Sequence, residues 1–299
     1  MQKTFLLGIF VLLLSNYVQV AYPQSSAGRI VEDSIYSEAL NAWRRYSVYL
    51  PPNYDPTGRE YPILYLLHGL SDTHTMWPKR AHLADVMNLL IAEGSVCDMV
   101  VVSPEAGGDV RTVWNGYFDM PGWPYETFFF TEFLPTVEHR YHIVGTKACR
   151  AIAGLSMGGG GAVSYGQRHS DKFCTVYAMS ALMTIPQRGM IEPQSPDDKM
   201  AILTRSVIDH DCIRYVREAD ETRLDSLRTV SWFVDCGDDD FLLDRNIEFY
   251  QAMRNAAVPC QFRVRDGGHV WEYWHSALYI CLPYVSRIFI SGSSAGTKE

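Results

Sequence analysis

Short, continuously apolar runs that alternate with amphipathic stretches constrain the fold of this chain more than any other feature. The run YPILYLLHG at residues 61–69 stops at a glycine, which is typical of a strand buried on both faces. Strands that alternate with helices predict an α/β fold, with a mostly parallel sheet covered by helices on both faces. The predicted strands lie within residues 45–50, 61–69, 98–106, 150–156, 172–181, 230–238 and 260–268, and the predicted helices within 81–94, 128–142, 160–171, 243–258 and 271–289.

One segment, residues 183–228, interrupts this alternation with a polar, proline-containing stretch followed by charged helical sequence. We interpret it as an insertion over the edge of the sheet. It is either a lid or an ordinary connection that carries surface helices. The chain contains no internal repeat and no low-complexity linker, so residues 28–299 are predicted to form one domain.

The N-terminus has the pattern of a secretory signal peptide. Lys3 precedes an apolar stretch from Phe5 to Leu14, and small polar residues follow. That stretch is too short to cross a bilayer, which takes about 20 apolar residues. Residues 1–27 are therefore predicted to be removed, with cleavage after Ala21 or Ala27, and the mature chain to be secreted or periplasmic without stable membrane insertion. A buried N-terminal helix is the alternative.

The charge and the cysteine spacing argue against three kinds of partner, namely nucleic acids, anionic membranes and metal ions. The formal net charge is −8, from 34 acidic and 26 basic residues, and no Lys/Arg run is present. Neither a nucleic-acid partner nor an anionic membrane is therefore expected. The 7 cysteines show no CxxC or Cys/His metal spacing, so no metal site is predicted, and several lie in apolar runs as small buried side chains.

Residues 154–158, GLSMG, form a G-x-S-x-G motif between a predicted strand and a predicted helix. A serine hydroxyl attacks a carbonyl only if it stands clear of the backbone beside a base, and a sharp strand-to-helix turn with small neighbours provides this. The motif alone has modest specificity, but its context favours Ser156 as a nucleophile. The alternative is a glycine-rich turn that serves close packing.

A nucleophilic serine requires a histidine base, and on this architecture the acid and then the histidine follow the serine along the chain. His269 follows a predicted strand and two glycines, at the carboxyl edge of the sheet where functional loops gather. It is therefore preferred over His169, His210 and His275, which lie in helical or inserted sequence.

The acid is expected in the stretch VSWFVDCGDDDFLL, at residues 230–243. Alternation places Asp235 within the strand, whereas Asp238, Asp239 and Asp240 lie in the loop after it. Periodicity cannot separate the three. They could instead bind a cation, but no calcium-loop spacing is present.

Four motifs in this order and spacing, LLHGLSDTHTMW, GLSMGG, DCGDDDFL and GGHVWEYW, resemble the esterase D-like family of α/β-hydrolases, which includes feruloyl and acetyl-xylan esterases. The resemblance covers roughly residues 30–290 and implies an α/β-hydrolase fold. It implies Asp240 as the acid, with Asp239 next. It also implies an oxyanion hole formed by the backbone N–H groups of Leu70 and Met157, and a structural role for His68.

The resemblance further places the aromatic stretch 113–130 near the pocket. Trp114, Asn115, Tyr117, Trp123 and, after the histidine, Trp271 are candidates to contact an aromatic acyl group or a sugar ring, whereas Phe128–Phe130 are expected to pack in the core. We therefore predict a secreted serine esterase that needs no cofactor and cleaves feruloyl esters on plant polysaccharides. Acetyl-xylan or other short-acyl esters are the main alternative, and a peptidase or a non-catalytic binding protein with a hydrolase fold are two further ones.

Overall fold

The computed structural model describes residues 27–185, 195 and 198–295. The predicted signal peptide lies outside these residues except for Ala27, and so do residues 186–194 and 196–197 of the predicted insertion. The strands are β1 Arg29–Ser37, β2 Ala42–Leu50, β3 Ile63–Leu67, β4 Val100–Pro104, β5 Asp119–Met120, β6 Trp123–Pro124, β7 Arg150–Leu155, β8 Thr175–Met179, β9 Ser231–Gly237 and β10 Cys260–Arg265.

Helices connect most of these strands. They are α1 Met76–Arg80, α2 Leu83–Ala92, α3 Tyr125–Phe128, α4 Leu134–Arg140, α5 Ser156–Arg168, α6 Lys199–Asp209, α7 Cys212–Arg217, α8 Glu221–Arg228, α9 Leu243–Asn255 and α10 Trp271–Ala295. A π-helical turn, Phe129–Phe133, joins α3 to α4, and a 3₁₀ turn, Lys147–Cys149, precedes β7. No helix in the described part of the chain has both the length and the hydropathy to span a bilayer.

The described residues form an eight-stranded sheet in the order β1-β2-β4-β3-β7-β8-β9-β10. The strands from β4 to β10 in this order run parallel, while β1 and β2 are antiparallel to their neighbours. Every residue of β3, β4, β7 and β8 is buried, as expected for central strands covered on both faces. This architecture confirms the predicted α/β-hydrolase fold.

Two apolar clusters lie on opposite faces of the sheet. One cluster packs α4, α5 and the aromatic stretch around Phe129 and Tyr165 against the sheet. The other packs α2 and α10 against it, with Trp77 and Leu278 among its fully buried members. The strand side chains alternate between the two clusters, which is why both faces of the apolar runs had to be hydrophobic.

Strand β1 was not predicted from the sequence. Among the described residues it pairs with β2 alone, at the edge of the sheet, and much of it is exposed, so its residues carry no continuous apolar signal. Its position is held by Asp33, whose Oδ2 accepts hydrogen bonds from the hydroxyls of Tyr46 and Tyr141, each at 2.8 Å, and from Arg140 Nη1 at 2.7 Å. Burial raises the pKa of Asp33, but these donors outweigh it and lower the pKa to about 2.

The described part of the insertion is packed onto the domain. Helices α6, α7 and α8 contribute Leu203, Ile213 and Leu227 to the apolar cluster that contains α5. Asp198, Asp211 and Asp220 cap the three helices with their side chains, which satisfies backbone N–H groups at each N-terminus. The described helices of this segment therefore pack against the core between β8 and β9.

Candidate active site

Ser156 stands at a sharp turn between β7 and α5. Its φ is +53°, a left-handed conformation that is strained for a residue with a side chain. The flanking glycines allow this turn because the backbone approaches itself there. A Cβ on Gly154 would lie 2.4 Å from the carbonyl oxygen of Gly158, and a Cβ on Gly158 would lie 2.4 Å from that of His68.

The following glycines bring α5 close to the neighbouring loops. A Cβ on Gly160 would lie 2.1 Å from the carbonyl oxygen of Leu182, and one on Gly161 would lie 3.0 Å from the Tyr117 ring. The glycine run thus serves two purposes. It permits the turn that exposes Ser156, and it also permits the close packing that was considered as the alternative for the motif.

Three predicted residues from three loops meet at the carboxyl edge of the sheet. His269 follows β10, and its Nε2 lies 2.9 Å from Ser156 Oγ. Its Nδ1 lies 2.9 Å from Asp240 Oδ2 in the loop after β9. A carboxylate can only accept, so Nδ1–H donates to Asp240, and Nε2 is left to accept the hydrogen bond from the Ser156 hydroxyl.

Asp240 is the loop aspartate that contacts His269. It is 4% exposed, and its Oδ1 accepts a hydrogen bond from Leu242 N at 2.8 Å. Burial raises the pKa of Asp240, but hydrogen bonds from His269, Leu242 N–H and the Ser180 hydroxyl outweigh it and lower the pKa. Asp238 and Asp239 are exposed, and Asp238 Oδ1 instead accepts from Gly267 N at 2.9 Å.

The other histidines that follow Ser156 are engaged elsewhere. Each contacts a group away from the serine, with His169 Nε2 at 2.9 Å from Glu126 Oε1, the His210 ring stacked on Phe118 at 3.9 Å, and His275 Nδ1 at 2.8 Å from the Ala81 carbonyl oxygen. His269 is therefore the histidine of this group that reaches Ser156.

His68 is fully buried at the end of β3 and organises the loop that follows. Its Nδ1–H donates to the Gly69 carbonyl oxygen at 2.8 Å, and its Nε2 accepts from Ala106 N at 3.0 Å. Burial lowers the pKa of His68 to about 4, so the ring is neutral near pH 7. Leu70 lies two residues after His68, and its backbone N–H has no acceptor among the described residues.

Ser156 and His269 open into a cleft of about 490 Å³, a size typical of small-molecule sites. Its apolar lining comes from Leu70, Leu155, Phe241, Val270, Trp271 and Trp274. Asp72, Arg80 and Glu272 supply its charged lining. Burial raises the pKa of Asp72, a shift that the nearby Arg80 opposes. None of the described residues of the 183–228 insertion lines this cleft.

Of the five predicted substrate contacts, only Trp271 lines the cleft beside Ser156. Tyr117 is fully buried, and its hydroxyl donates to the His68 carbonyl oxygen at 2.9 Å, so it supports the loop and is not available to a ligand. Asn115 is also fully buried, with Nδ2 at 2.7 Å from the Gly108 carbonyl oxygen. Trp114 and Trp123 line a separate cleft. The burial of Asn115 and Tyr117 corrects the sequence analysis, because their polar groups bond to loop carbonyl oxygens and line neither cleft. A substrate contact by Trp114 or Trp123 stays a prediction.

Ser180 and Phe241 are among the residues of the site that the sequence did not predict. Ser180, at φ +46° after β8, donates to Asp240 and accepts a hydrogen bond from Trp274 Nε1 at 3.1 Å. Phe241 is 76% exposed, and its ring centroid lies 4.6 Å from that of His269. The sequence carried a signal for Phe241, because it directly follows the three loop aspartates among which the acid was expected.

No group of three or more His, Cys, Asp or Glu side chains in the described residues could hold a metal ion. The site consists of a hydrogen-bonded serine, histidine and aspartate next to a cleft with aromatic side chains in its lining.

Comparison with known proteins identifies the family. The sequence matches the Esterase family over residues 37–284, which is most of the chain. The chain belongs to this esterase family. The match confirms the family and the α/β-hydrolase fold that the four motifs indicated.

The esterase is similar to a solved ferulic acid esterase, with 63% sequence identity, a TM-score of 0.84 and coverage of 88% of this chain and 98% of that one. It is 32% identical over 137 residues to an endo-1,4-beta-xylanase/feruloyl esterase of Xylanibacter ruminicola, covering 44% of this chain and 19% of that protein. It is also 24% identical over 253 residues to an esterase of Mycobacterium tuberculosis, covering 76% of this chain and 52% of that protein. The chain thus spans only part of the curated relatives that it matches.

Proposed function

We propose that this protein is a secreted serine esterase that releases feruloyl groups from plant polysaccharides, with Ser156, His269 and Asp240 as the catalytic residues. The observation that carries this proposal is the chain of two 2.9 Å contacts from Ser156 Oγ through His269 to Asp240 Oδ2. It begins at a serine held at φ +53°, where the hydroxyl faces an open cleft.

In the first half-reaction, Ser156 Oγ attacks the ester carbonyl carbon and His269 Nε2 takes its proton. Asp240 keeps the imidazole in the tautomer that accepts this proton and stabilises the resulting imidazolium. When the tetrahedral intermediate collapses, His269 gives the proton to the departing sugar oxygen. Water, deprotonated by His269, then attacks the acyl carbon, and the collapse of this second tetrahedral intermediate breaks the bond to Ser156 Oγ. His269 returns the proton to that oxygen, which releases the acid and restores the free enzyme.

The negative oxygen of the tetrahedral intermediate needs hydrogen-bond donors. Two backbone N–H groups are suited to this: that of Leu70, which has no acceptor among the described residues, and that of Met157, in the first turn of α5. N–H groups in the first turn of a helix have no partner within the helix, and the helix dipole adds positive potential there. Loss of one such donor typically costs about 100- to 1,000-fold in rate.

The feruloyl group is proposed on two grounds. The solved structure named as a ferulic acid esterase shares 63% of its sequence with this chain. The cleft beside Ser156 also has the right chemistry for an aromatic acid, because Phe241 and Trp271 offer aromatic surface. Trp271 itself packs edge-on against Trp77 at 5.4 Å, which holds its ring in place.

The decisive experiment compares methyl ferulate with 4-nitrophenyl acetate, using the wild-type enzyme and Ser156→Ala. We expect release of ferulate by the wild type and a loss of at least about 1,000-fold in kcat in the variant. Cleavage of 4-nitrophenyl acetate alone would indicate that the enzyme prefers esters of short acyl groups. Equal activity in both proteins would contradict the role of Ser156, and no activity in either would favour a non-catalytic protein.

Export is proposed from the N-terminal pattern of residues 1–27. Expression with this segment in a secreting host, followed by N-terminal sequencing of the product, tests it. A mature N-terminus after Ala21 or Ala27 is expected, and an intact Met1 on protein retained in the cytoplasm would contradict it.

A further inference from the structure

A second cleft, of about 520 Å³, opens on the carboxyl side of β4. The start of β2, the loop after β4, β6 and the start of α6 form its walls, and it shares no lining residue with the cleft beside Ser156. Its lining includes two cationic side chains and two tryptophans, namely Arg44, Lys199, Trp114 and Trp123.

The two cations of this second cleft rest on its two tryptophans. The Arg44 guanidinium carbon lies 5.2 Å from the ring centroid of Trp123, and Lys199 Nζ lies 5.5 Å from that of Trp114. Neither cation forms an ion pair with a carboxylate of the described residues. The Nε of Arg44 is buried without a hydrogen-bond partner among the described residues, whereas its terminal guanidinium nitrogens are not buried in this way.

One carboxylate, that of Glu105, also lines the second cleft. It lies 3.8 Å from His74 Nδ1, and its Oε2 is 3.4 Å from the backbone nitrogen of Arg45. A carboxylate beside two cations disfavours a ligand with several negative charges, but it can accept hydrogen bonds from hydroxyl groups. The combination of aromatic walls, a hydroxyl acceptor and two unpaired cations suits a sugar ring that bears a single carboxylate.

The second cleft lies close enough to Ser156 for one oligosaccharide to reach both. Strand β4 is two positions from β7 in the sheet, and two strand spacings are about 10 Å. The loops are also joined, because Ala106 N donates to His68 Nε2 at 3.0 Å and Val110 N to Ser71 Oγ at 3.4 Å. The wall of the second cleft is therefore held against the loop that carries Leu70.

We propose that the second cleft binds a uronic acid unit of the polysaccharide whose ester is positioned at Ser156. This inference rests on the proposed function for the ester, and it adds the chemistry of the sugar chain. Arg44 would hold the uronate carboxylate through its guanidinium N–H groups, with Lys199 as a second positive charge. Trp114 and Trp123 would pack against the sugar.

Direct binding tests the second cleft without catalysis. Calorimetry with the Ser156→Ala protein would compare unesterified xylo-oligosaccharides that carry a glucuronate branch with unbranched ones. We expect the acidic oligosaccharide to bind more tightly, and Arg44→Gln or Lys199→Met in the same background to weaken its binding about tenfold or more. Arg45→Gln is the matched control, since Arg45 is the exposed neighbour on the same strand and does not line the cleft. Equal affinity for both sugars, or an equal loss in Arg45→Gln, would overturn the inference.

A second measurement separates the inference from the proposed function. For feruloylated oligosaccharides with glucuronate, relative to methyl ferulate, the ratio of kcat/KM should fall about tenfold in Arg44→Gln and stay unchanged in Arg45→Gln. An unchanged ratio in Arg44→Gln would contradict the inference while leaving the esterase intact. Failure of the wild type to cleave any feruloyl ester would instead contradict the proposed substrate. The binding experiment would still test whether the second cleft binds a uronic acid.

Discussion

At the scale of single residues, the site depends on groups whose surroundings give them one protonation state. Asp240 is buried, yet hydrogen bonds from His269, Leu242 N–H and Ser180 lower its pKa, so it stays ionised and can only accept. His68 is buried without a carboxylate beside it, and its pKa is lowered to about 4. One group is thus kept charged and the other neutral, and both are fixed by backbone contacts in loops at the carboxyl edge.

Replacement of Asp240 by asparagine should abolish most of the activity. The amide occupies the same space but can donate to Nδ1, which favours the tautomer that cannot accept the Ser156 proton. By the behaviour of serine triads, kcat should fall about 10,000-fold on methyl ferulate.

The matched control is Asp239→Asn. Asp239 directly precedes Asp240, but its side chain is exposed, and its backbone N–H donates to the Gly267 carbonyl oxygen at 3.0 Å. This variant should retain near wild-type activity. A large loss in Asp239→Asn together with an active Asp240→Asn would reassign the acid.

His68 should make the folded protein sensitive to acid. Its pKa in the folded state is about 4, below the ordinary value of 6.5, so the unfolded chain binds the proton more readily between these values. The free energy of unfolding therefore falls as the pH drops from 6.5 to 4, by about 3 kcal/mol from this residue.

Urea unfolding of the wild type and of His68→Asn across this pH range measures the effect. The variant should be less stable at pH 7, because Ala106 N–H loses its acceptor, but its stability should depend less steeply on pH. Parallel curves would contradict the prediction, as would an NMR titration of the wild type with the His68 midpoint near 6.5.

At the scale of elements, the turn from β7 to α5 and the ends of β3, β8, β9 and β10 assemble the site. The helix can begin at Ser156 only because its first turns approach the backbone of neighbouring elements. Gly158 lies against the end of β3, where a Cβ would also come within 2.7 Å of the Leu67 carbonyl oxygen. The turn at Ser156 therefore depends on the contact between α5 and the end of β3 as much as on the local G-x-S-x-G motif.

A methyl group at Gly158 should disturb this contact. The atoms it would meet are backbone atoms of a central strand and cannot move aside, so Gly158→Ala should cost about 1–3 kcal/mol of stability. Displacement of Ser156 by about 1 Å should also lower kcat about 100-fold. Thermal unfolding and methyl ferulate assays measure both effects.

The control for this variant is Gly268→Ala, next to His269, where the nearest atom to an added Cβ is 3.7 Å away. We expect wild-type stability and activity there. If Gly158→Ala behaves like this control, the close approach of α5 to β3 is not what requires glycine.

At the scale of the whole molecule, the sheet separates two apolar clusters and brings the loops that carry Ser156, Asp240 and His269 to one edge. The seven cysteines all lie within the described residues, where they are unpaired, and apolar side chains pack on both faces of the sheet. The same edge carries both clefts, one at the ends of β3 and β7 and the other at the end of β4. A substrate that occupies both clefts would thus be recognised by parts of the chain distant in sequence.

The sequence by itself determined the fold class, the esterase family and the serine motif. Continuous apolar runs indicate strands covered on both faces, because burial demands hydrophobic side chains on each side. The G-x-S-x-G motif between a strand and a helix indicates an exposed hydroxyl, since only small residues allow that turn. The edge strand β1 escaped prediction because exposure removes the apolar signal.

Only the tertiary structure decided which neighbouring residues share a site. Three consecutive aspartates have the same sequence context, and the fold alone brings Asp240 to within 2.9 Å of His269. The aromatic stretch likewise divides between the core and a second cleft, with Tyr117 buried and Trp114 lining that cleft. Periodicity indicates which faces of a strand or helix are buried, but it does not show which distant loops meet at a site. The order and direction of the strands set which loops meet.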